Sequence, residues 1–229
     1  ERFPMCSSFK LLLAGAALHQ AAAGALRLDE QLAYSRADLQ PWSPVTEGLL
    51  AEGSMAVAAL CAATLATSDN TAANLLLARL GGPTAVTTFL RSLGDPVTRL
   101  DRYEPEMNAP HPEWDSSAPR AMAHSLHALL LGDVLAPPHR ARLKAWLQAS
   151  VTGGRRLKAG LPAGWSIAEK TGTSDSGSTN DIGVVWSPRG EPLVVAAFIR
   201  NSRAPHAQRE AALADVGRLA AGVADTGGG

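Results

Sequence analysis

Ser7-Ser8-Phe9-Lys10 places a hydroxyl three residues ahead of an amine, on the predicted first turn of a helix. Residues three apart share a helix face, so the Lys10 amine reaches the Ser7 hydroxyl. The positive end of the helix dipole favours an alkoxide there, and burial near other cations lowers the lysine pKa so that the amine accepts a proton. A surface helix carrying an unrelated serine and lysine fits the same four residues. Ser68-Asp69-Asn70 sits between two helical segments and suits an N-cap for a helix starting at Thr71. It also suits a relay in which Ser68 passes a proton to a leaving nitrogen and Asn70 binds a substrate amide. Lys170-Thr171-Gly172-Thr173 closes a predicted strand, presenting a cation, hydroxyls and backbone N–H groups to an anionic extended ligand. Gly172 permits close backbone approach. The alternative is a strand end with a solvated lysine. Two of the chain's four lysines fall in these motifs.

Apolar residues at i, i+3 and i+4 predict helices near Ser7–Ala23, Met55–Ala66, Thr71–Leu80, Pro83–Leu93, Pro119–Leu131 and Pro138–Gln148. Pro83, Pro119 and Pro138 suit helix starts. Leu28–Gly53 and Gly94–Ala118 read as long irregular stretches, of the kind that carry function. Beyond Val151 the period changes: Trp165–Thr171, Asp181–Trp186 and Leu193–Ile199 read as strands, the last two joined by Ser187-Pro188-Arg189-Gly190. An amphipathic helix runs from about His206 to Val223, and Thr226–Gly229 reads as a frayed tail. The expected organisation is a mainly helical domain over residues 4–150, carrying the first two motifs, and an α/β part over residues 151–229 carrying the third.

The 21 basic and 21 acidic residues cancel and form no long run of one sign, so the electrostatic footprint of a nucleic-acid binder is missing. No stretch of eighteen uninterrupted apolar residues predicts a membrane span. His124 and His127 form an H-x-x-H pair inside an apolar helix pattern, and two cysteines supply too few further ligands for zinc; no metal or cofactor is expected. The chain opens on Glu1-Arg2-Phe3-Pro4 with no initiator Met or signal peptide and reads as incomplete.

S-x-x-K, S-D-N and K-T-G in this order are shared by class A β-lactamases and penicillin-binding proteins. The local matches are longer than the triplets. They include Glu1-Arg2-Phe3-Pro4-Met5-Cys6-Ser7, the run Ser68-Asp69-Asn70-Thr71-Ala72-Ala73-Asn74-Leu75-Leu76, and Arg102-Tyr103-Glu104-Pro105-Glu106-Met107-Asn108. Over essentially its whole length the chain resembles a class A serine β-lactamase. The resemblance implies the two-domain α+β fold of β-lactamases and transpeptidases, an all-helical domain packed on an antiparallel sheet flanked by helices. An N-terminal helix and two strands of that fold would precede Glu1, and their absence would leave an exposed sheet edge. It further implies hydrolysis of penicillins and cephalosporins by a monomer, in the periplasm or outside the cell, with no nucleic-acid or membrane partner.

Residue by residue, the resemblance makes Ser7 the nucleophile and Lys10 its neighbouring base. Ser68 becomes the proton relay, and Glu104 with Asn108 the holders of the deacylating water, with Lys10 or Glu104 acting as the base of acylation. The backbone N–H groups of Ser7 and Thr173 become the oxyanion hole. Trp42, Asn70, Lys170, Thr171, Gly172, Thr173 and Ser174 line the substrate. Arg156 matches an arginine that helps Lys170 bind the substrate carboxylate in subgroups lacking an arginine on the next strand, where Thr179 stands here. Arg102 and Asp115 match an ion pair closing the loop, whose Asn108–Asp115 stretch is about two residues shorter than usual by this alignment. Cys6 resembles half of a disulfide found in carbapenem-hydrolysing relatives, but the partner position is Ser174; Cys61 resembles half of another, with Ala14 opposite. Both thiols are therefore expected free and buried, which gives poor grounds for expecting carbapenem hydrolysis, and Ser174 with Asp175 is expected to widen access for bulky cephalosporins. The rivals are a penicillin-recognising peptidase or sensor that acylates without turnover, and an inactive relic.

Overall fold

The computed structural model describes residues 1–226, with side chains through Val223; Gly227–Gly229 of the expected tail lie outside the described residues. In chain order the elements are β1 (Phe3–Pro4), α1 (Phe9–Ala22), β2 (Gln31–Ala33), α2 (Pro44–Gly48), β3 (Ser54–Ala56), α3 (Val57–Ala66), α4 (Asn70–Leu80) and α5 (Pro83–Ser92). There follow β4 (Ser116–Ser117), α6 (Pro119–Leu130), α7 (Pro137–Gln148), α8 (Leu157–Gly160), β5 (Ser166–Thr173), β6 (Thr179–Trp186), β7 (Pro192–Ile199) and α9 (His206–Thr226). Helices against an antiparallel sheet give the α+β class expected.

Helix α1 is the hub of the helical part. From Phe9 to Leu18 every residue is buried, the signature of a helix apolar on all sides. It packs on α3, α4, α5 and α7. Gly15 lets Leu129 of α6 approach, since a Cβ there would stand 2.8 Å from Leu129 Cδ1.

Strands β5, β6 and β7 form an antiparallel meander in that order, with Lys170 opposite Ile182, Thr171 opposite Asp181 and Thr173 opposite Thr179. The two-residue period sends alternate side chains to opposite faces. Ala168, Ile182 and Val184 join the helical core, whereas Ile167, Val185 and Val195 pack with Leu157 and Ala220. Lys170, two residues after Ala168, therefore faces the helices.

Several boundaries differ from expectation. The first helix begins at Phe9, and Ser7 lies in a separate 3₁₀ turn, Cys6–Ser8. Such a turn stacks i over i+3, so Ser7 still sits above Lys10. Met55 belongs to β3, not to a helix, and Leu28–Gly53 is not structureless, holding β2, α2 and 3₁₀ turns at Arg36–Asp38 and Leu50–Glu52. These pieces are too short to show a period. The strands begin earlier or run longer than expected, to Thr173 in β5 and from Thr179 in β6. Helix α7 begins at Pro137, one residue early.

Two ties set the Ser7 turn relative to the later loop. Strand β1 pairs with β4, and Met5 N donates to Asp115 O at 2.9 Å. A third fastening is Asp69, fully buried at the start of α4. Its carboxylate caps the helix through Ala72 N at 2.9 Å and accepts from Val45 N and Thr46 N, each at 2.9 Å, and from Thr46 Oγ1. Asp69→Ala strands three buried backbone N–H groups at about 1–3 kcal/mol each before relaxation. Denaturant unfolding should show a stability loss above about 2 kcal/mol; a loss under about 0.5 kcal/mol would remove Asp69 from this role.

Candidate active site

A cleft of about 740 Å³ opens between the helical part and the edge of β5. Ser7, Trp42, Ser68, Asn70, Asn108, Arg156, Thr171, Gly172, Thr173 and Ser174 all line it. Residues far apart in sequence, from the N-terminal turn to the strand after residue 165, converge there.

At its floor lies Lys10, fully buried. Its Nζ reaches Ser7 Oγ at 3.1 Å, Ser68 O at 2.9 Å, Ser68 Oγ at 3.2 Å and Asn70 Oδ1 at 2.5 Å, and pairs with Glu104 Oε1 at 3.2 Å. Burial pulls the Lys10 pKa down, and the Glu104 carboxylate opposes that. Ser7 Oγ itself donates to Glu104 Oε1 at 3.3 Å. The Ser7 hydroxyl therefore has two proton acceptors within reach, the Glu104 carboxylate and, when neutral, the Lys10 amine.

Ser68 stands with φ at 64°, outside helical geometry, just before α4. Its Oγ receives hydrogen bonds from Lys10 Nζ and Lys170 Nζ, both at 3.2 Å. A hydroxyl has two lone pairs and one proton. With both lone pairs engaged by amines, the Ser68 proton is left to point into the cleft. Asn70 Nδ2 donates to Pro41 O at 2.7 Å, which orients its amide and leaves the second N–H toward the cleft.

Glu104 is 1% exposed. Asn108 Nδ2 donates to Glu104 Oε2 at 2.6 Å, while Asn108 Oδ1 is buried without a protein donor. Asn74 on α4 clamps the Glu104 backbone in both directions, accepting from Glu104 N at 3.0 Å and donating to Glu104 O at 2.7 Å. Asn74 stands in the same run as Asn70 with no local pattern to mark its task; four residues on, it lies one helical turn along the same face. Arg102 Nε pairs with Asp115 Oδ2 at 2.6 Å, and Asp115 Oδ1 accepts from Asp101 N and Arg102 N. The guanidinium also donates to Ala109 O at 2.8 Å. Both ends of the Glu104 loop are thereby pinned to one another.

The other wall is β5. A Cβ on Gly172 would stand 2.5 Å from Met5 O and 3.1 Å from Ser8 N, so only glycine lets the strand lie against the Ser7 turn. Asn180 on β6 fixes the same turn, its Nδ2 donating to Pro4 O and Met5 O; no motif marked it in the sequence. Lys170 is fully buried and donates to Thr171 O at 2.9 Å. Burial, with Lys10 and Arg156 nearby, sets its pKa well below the ordinary lysine range. Thr171 Oγ1 shares a 2.7 Å hydrogen bond with Thr152 Oγ1.

Arg156 is buried and largely saturated. Its Nη1 donates to Gly172 O and Asn180 O, its Nη2 to Thr173 Oγ1 at 2.7 Å, and its Nε to Glu210. Thr179 is opposite Thr173, so the arginine reaches this point from the segment before α8 and not from β6. Trp42 stands on the rim, 68% exposed, with its indole N–H donating to Thr67 O; it does not cap the core. Ser174 Oγ bonds Ser176 Oγ at 2.8 Å and its hydroxyl stands beside the Cys6 thiol, while Asp175 joins the cleft edge. Cys6 and Cys61 are free and buried, and burial pushes both thiols up to about 12.

His124 is engaged with Leu93 O, and among the described residues no three His, Cys, Asp or Glu side chains converge to hold a metal ion. No helix among them is long and apolar enough to cross a membrane.

Known proteins are similar to this chain over most of its length. The family model described as the β-lactamase enzyme family matches residues 1–224. The chain is 49% identical over 198 residues to β-lactamase FAR-1 of Nocardia farcinica, covering 86% of this chain and 63% of that protein. It is 45% identical over 223 residues to the carbapenem-hydrolyzing β-lactamase KPC of Klebsiella oxytoca, covering 96% of this chain and 76% of that one. Among solved structures, the class A β-lactamase of the last common ancestor of Gram-negative bacteria superposes with a TM-score of 0.95 at 52% identity, over 97% of this chain and 86% of that one. With family model, relatives and fold in agreement, the chain belongs to the class A β-lactamases.

Proposed function

We propose that the chain hydrolyses penicillins and cephalosporins through an acyl-enzyme on Ser7, and so confers resistance to them. The observation that carries this is the meeting of Ser7 Oγ, Lys10 Nζ and Glu104 Oε1 within 3.3 Å of one another. A serine hydroxyl attacks a carbonyl only if something takes its proton, and both candidates stand at hydrogen-bond range. Lys10 or Glu104 receives the proton; the two groups are nearly equidistant from the hydroxyl.

The remaining groups then have defined tasks. The N–H groups of Ser7 and Thr173 hold the developing oxyanion. Ser68, its proton aimed into the cleft, protonates the ring nitrogen as the amide opens. Lys170, Thr171 and Thr173 bind the substrate carboxylate. Arg156 acts through Thr173: by donating to Thr173 Oγ1 it turns that hydroxyl's proton outward. Asn70 and Trp42 frame the acylamino side chain, with Ser174 at the far edge. For deacylation, a water donating to Glu104 and to the free Asn108 Oδ1 is placed beside the ester, and Glu104 takes its proton. Arg102 and Asp115 keep that carboxylate in position. Every group named belongs to one chain, so the reading calls on no residue of a second copy. The activity calls for a location in the periplasm or outside the cell, where the drug targets of the cell wall lie.

The carboxylate at Glu104 is what distinguishes a hydrolase from a receptor that only acylates. A chromogenic cephalosporin tests this directly: steady turnover supports the reading, whereas a stoichiometric burst or no reaction overturns it. Replacing Glu104 by Ala should slow deacylation by about 10²–10⁴-fold and leave a penicillin adduct on Ser7 that persists in intact-protein mass spectra. Rapid clearance of that adduct would remove Glu104 from the mechanism.

The depressed Lys170 pKa gives a pH dependence with a definite sign. As pH rises the ammonium is lost and with it the attraction for the substrate carboxylate, so kcat/KM should fall on an alkaline limb below the ordinary lysine pKa. Lys170→Arg, which keeps its charge, should lower activity at neutral pH yet flatten that limb. An unchanged limb would assign the titration to another group.

A further inference from the structure

Glu169 and Asp181 form a second buried cluster, on the sheet beneath the cleft, to which the mechanism above gives no part. They lie on adjacent strands, β5 and β6, and are 1% and 0% exposed. Thr171 is opposite Asp181 and Gly183 is opposite Glu169, so the two carboxyls are diagonal neighbours on one sheet face, with no side chain from Gly183 between them. Gly153 lies against the other flank, where a Cβ would fall 1.9 Å from Glu169 Oε1 and displace that carboxyl.

Asp181 Oδ2 accepts from Leu157 N at 3.1 Å. Glu169 Oε2 and Asp181 Oδ1 are buried and receive no donor. Among the described residues no Lys, Arg or His nitrogen lies within the 4.0 Å of an ion pair to either carboxyl. The charged groups nearest the pair are Arg156 before α8, Lys158 in α8 and, from the opposite face of the sheet, Lys170 on β5, all at longer range; Glu210 of α9 is spent on Arg156 and His206. Two carboxylates this close and this buried do not both ionise, whereas one proton between them satisfies both stranded oxygens at once. Burial raises both carboxyls, Asp181 the more because the Glu169 charge adds to it.

We propose that Asp181 and Glu169 share a single proton, with Asp181 donating to Glu169, and that this neutralised pair is a positioning device for Arg156. The connection is through the backbone. The Leu157 N–H held by Asp181 belongs to the residue after Arg156, so the pair fixes where the arginine enters between β5 and β6 and hence its reach to Thr173 Oγ1. The part concerning Arg156 rests on the function proposed above; the shared proton does not.

Two measurements keep those apart. Infrared spectroscopy in D₂O at neutral pH should show the C=O band of a buried protonated carboxyl, absent from Asp181→Asn, which supplies an amide N–H in place of the acid proton. Absence of that band from the wild type would overturn the shared proton whether or not the protein turns over a drug. For positioning, Asp181→Asn keeps an oxygen for Leu157 N and should leave the KM for a penicillin within about twofold. Asp181→Ala should raise that KM roughly tenfold with kcat within about twofold, the loss expected when one hydrogen bond in an ionic network is removed. Unchanged KM in Asp181→Ala, or a tenfold rise in Asp181→Asn, would overturn the positioning role. Should the alanine variant not fold, Asp181→Leu, which keeps nearly the same side-chain shape but offers no acceptor to Leu157 N, replaces it with the same expected KM rise.

Discussion

The buried amine of Lys10 is the interaction on which the rest of the site depends. Five oxygen atoms contributed by Ser7, Ser68, Asn70 and Glu104 converge on one nitrogen that sees no solvent. These residues come from the 3₁₀ turn, the segment before α4, α4 itself and the loop beyond residue 100. A lone buried cation is expensive, and this one is tolerated because its partners are held in place by other parts of the fold. The helix that carries it, α1, is packed on every side, so the amine has no route outward.

Those supports are mostly short polar side chains at element ends. Asp69 gathers α2 and α4, Asn74 holds the Glu104 backbone, Asp115 closes the loop on Arg102, and Asn180 ties β6 to the Ser7 turn. None of them needs to touch a substrate. Each satisfies buried backbone groups that would otherwise lack partners, and in doing so fixes a reactive neighbour to within a few tenths of an ångström of hydrogen-bond range. Catalytic geometry and backbone satisfaction are here the same requirement.

Charge is arranged by the same economy. Three cations, Lys10, Lys170 and Arg156, line one cleft while the chain as a whole is neutral. Burial depresses both lysines, and for Lys170 the nearby Lys10 and Arg156 add to it, which suits one for receiving a proton and makes the other sensitive to alkaline pH. The acidic groups set against them differ in kind. Glu104 faces Lys10 directly, whereas Glu169 and Asp181 act on Arg156 and Lys170 from behind the strand.

Much of this was legible in the chain. Ser7, Lys10, Ser68, Asn70, Glu104 and Lys170 each stand in a short run whose residue types announce a task, and apolar periodicity gave α1, α4 to α7 and the meander, because long regular elements repeat their burial pattern. Elements of three to five residues in Leu28–Gly53 left no period to read, and Ser7 proved to sit in a separate 3₁₀ turn because the boundary there depends on how β1 and β5 press on the chain. What only the tertiary structure decided was partnership. That Arg156 would end on Thr173, that Asn74 would clamp Glu104, and that Glu169 would lie diagonal to Asp181 with no cation paired to either all follow from strand register and loop closure, which join separated residues by packing that no local pattern encodes.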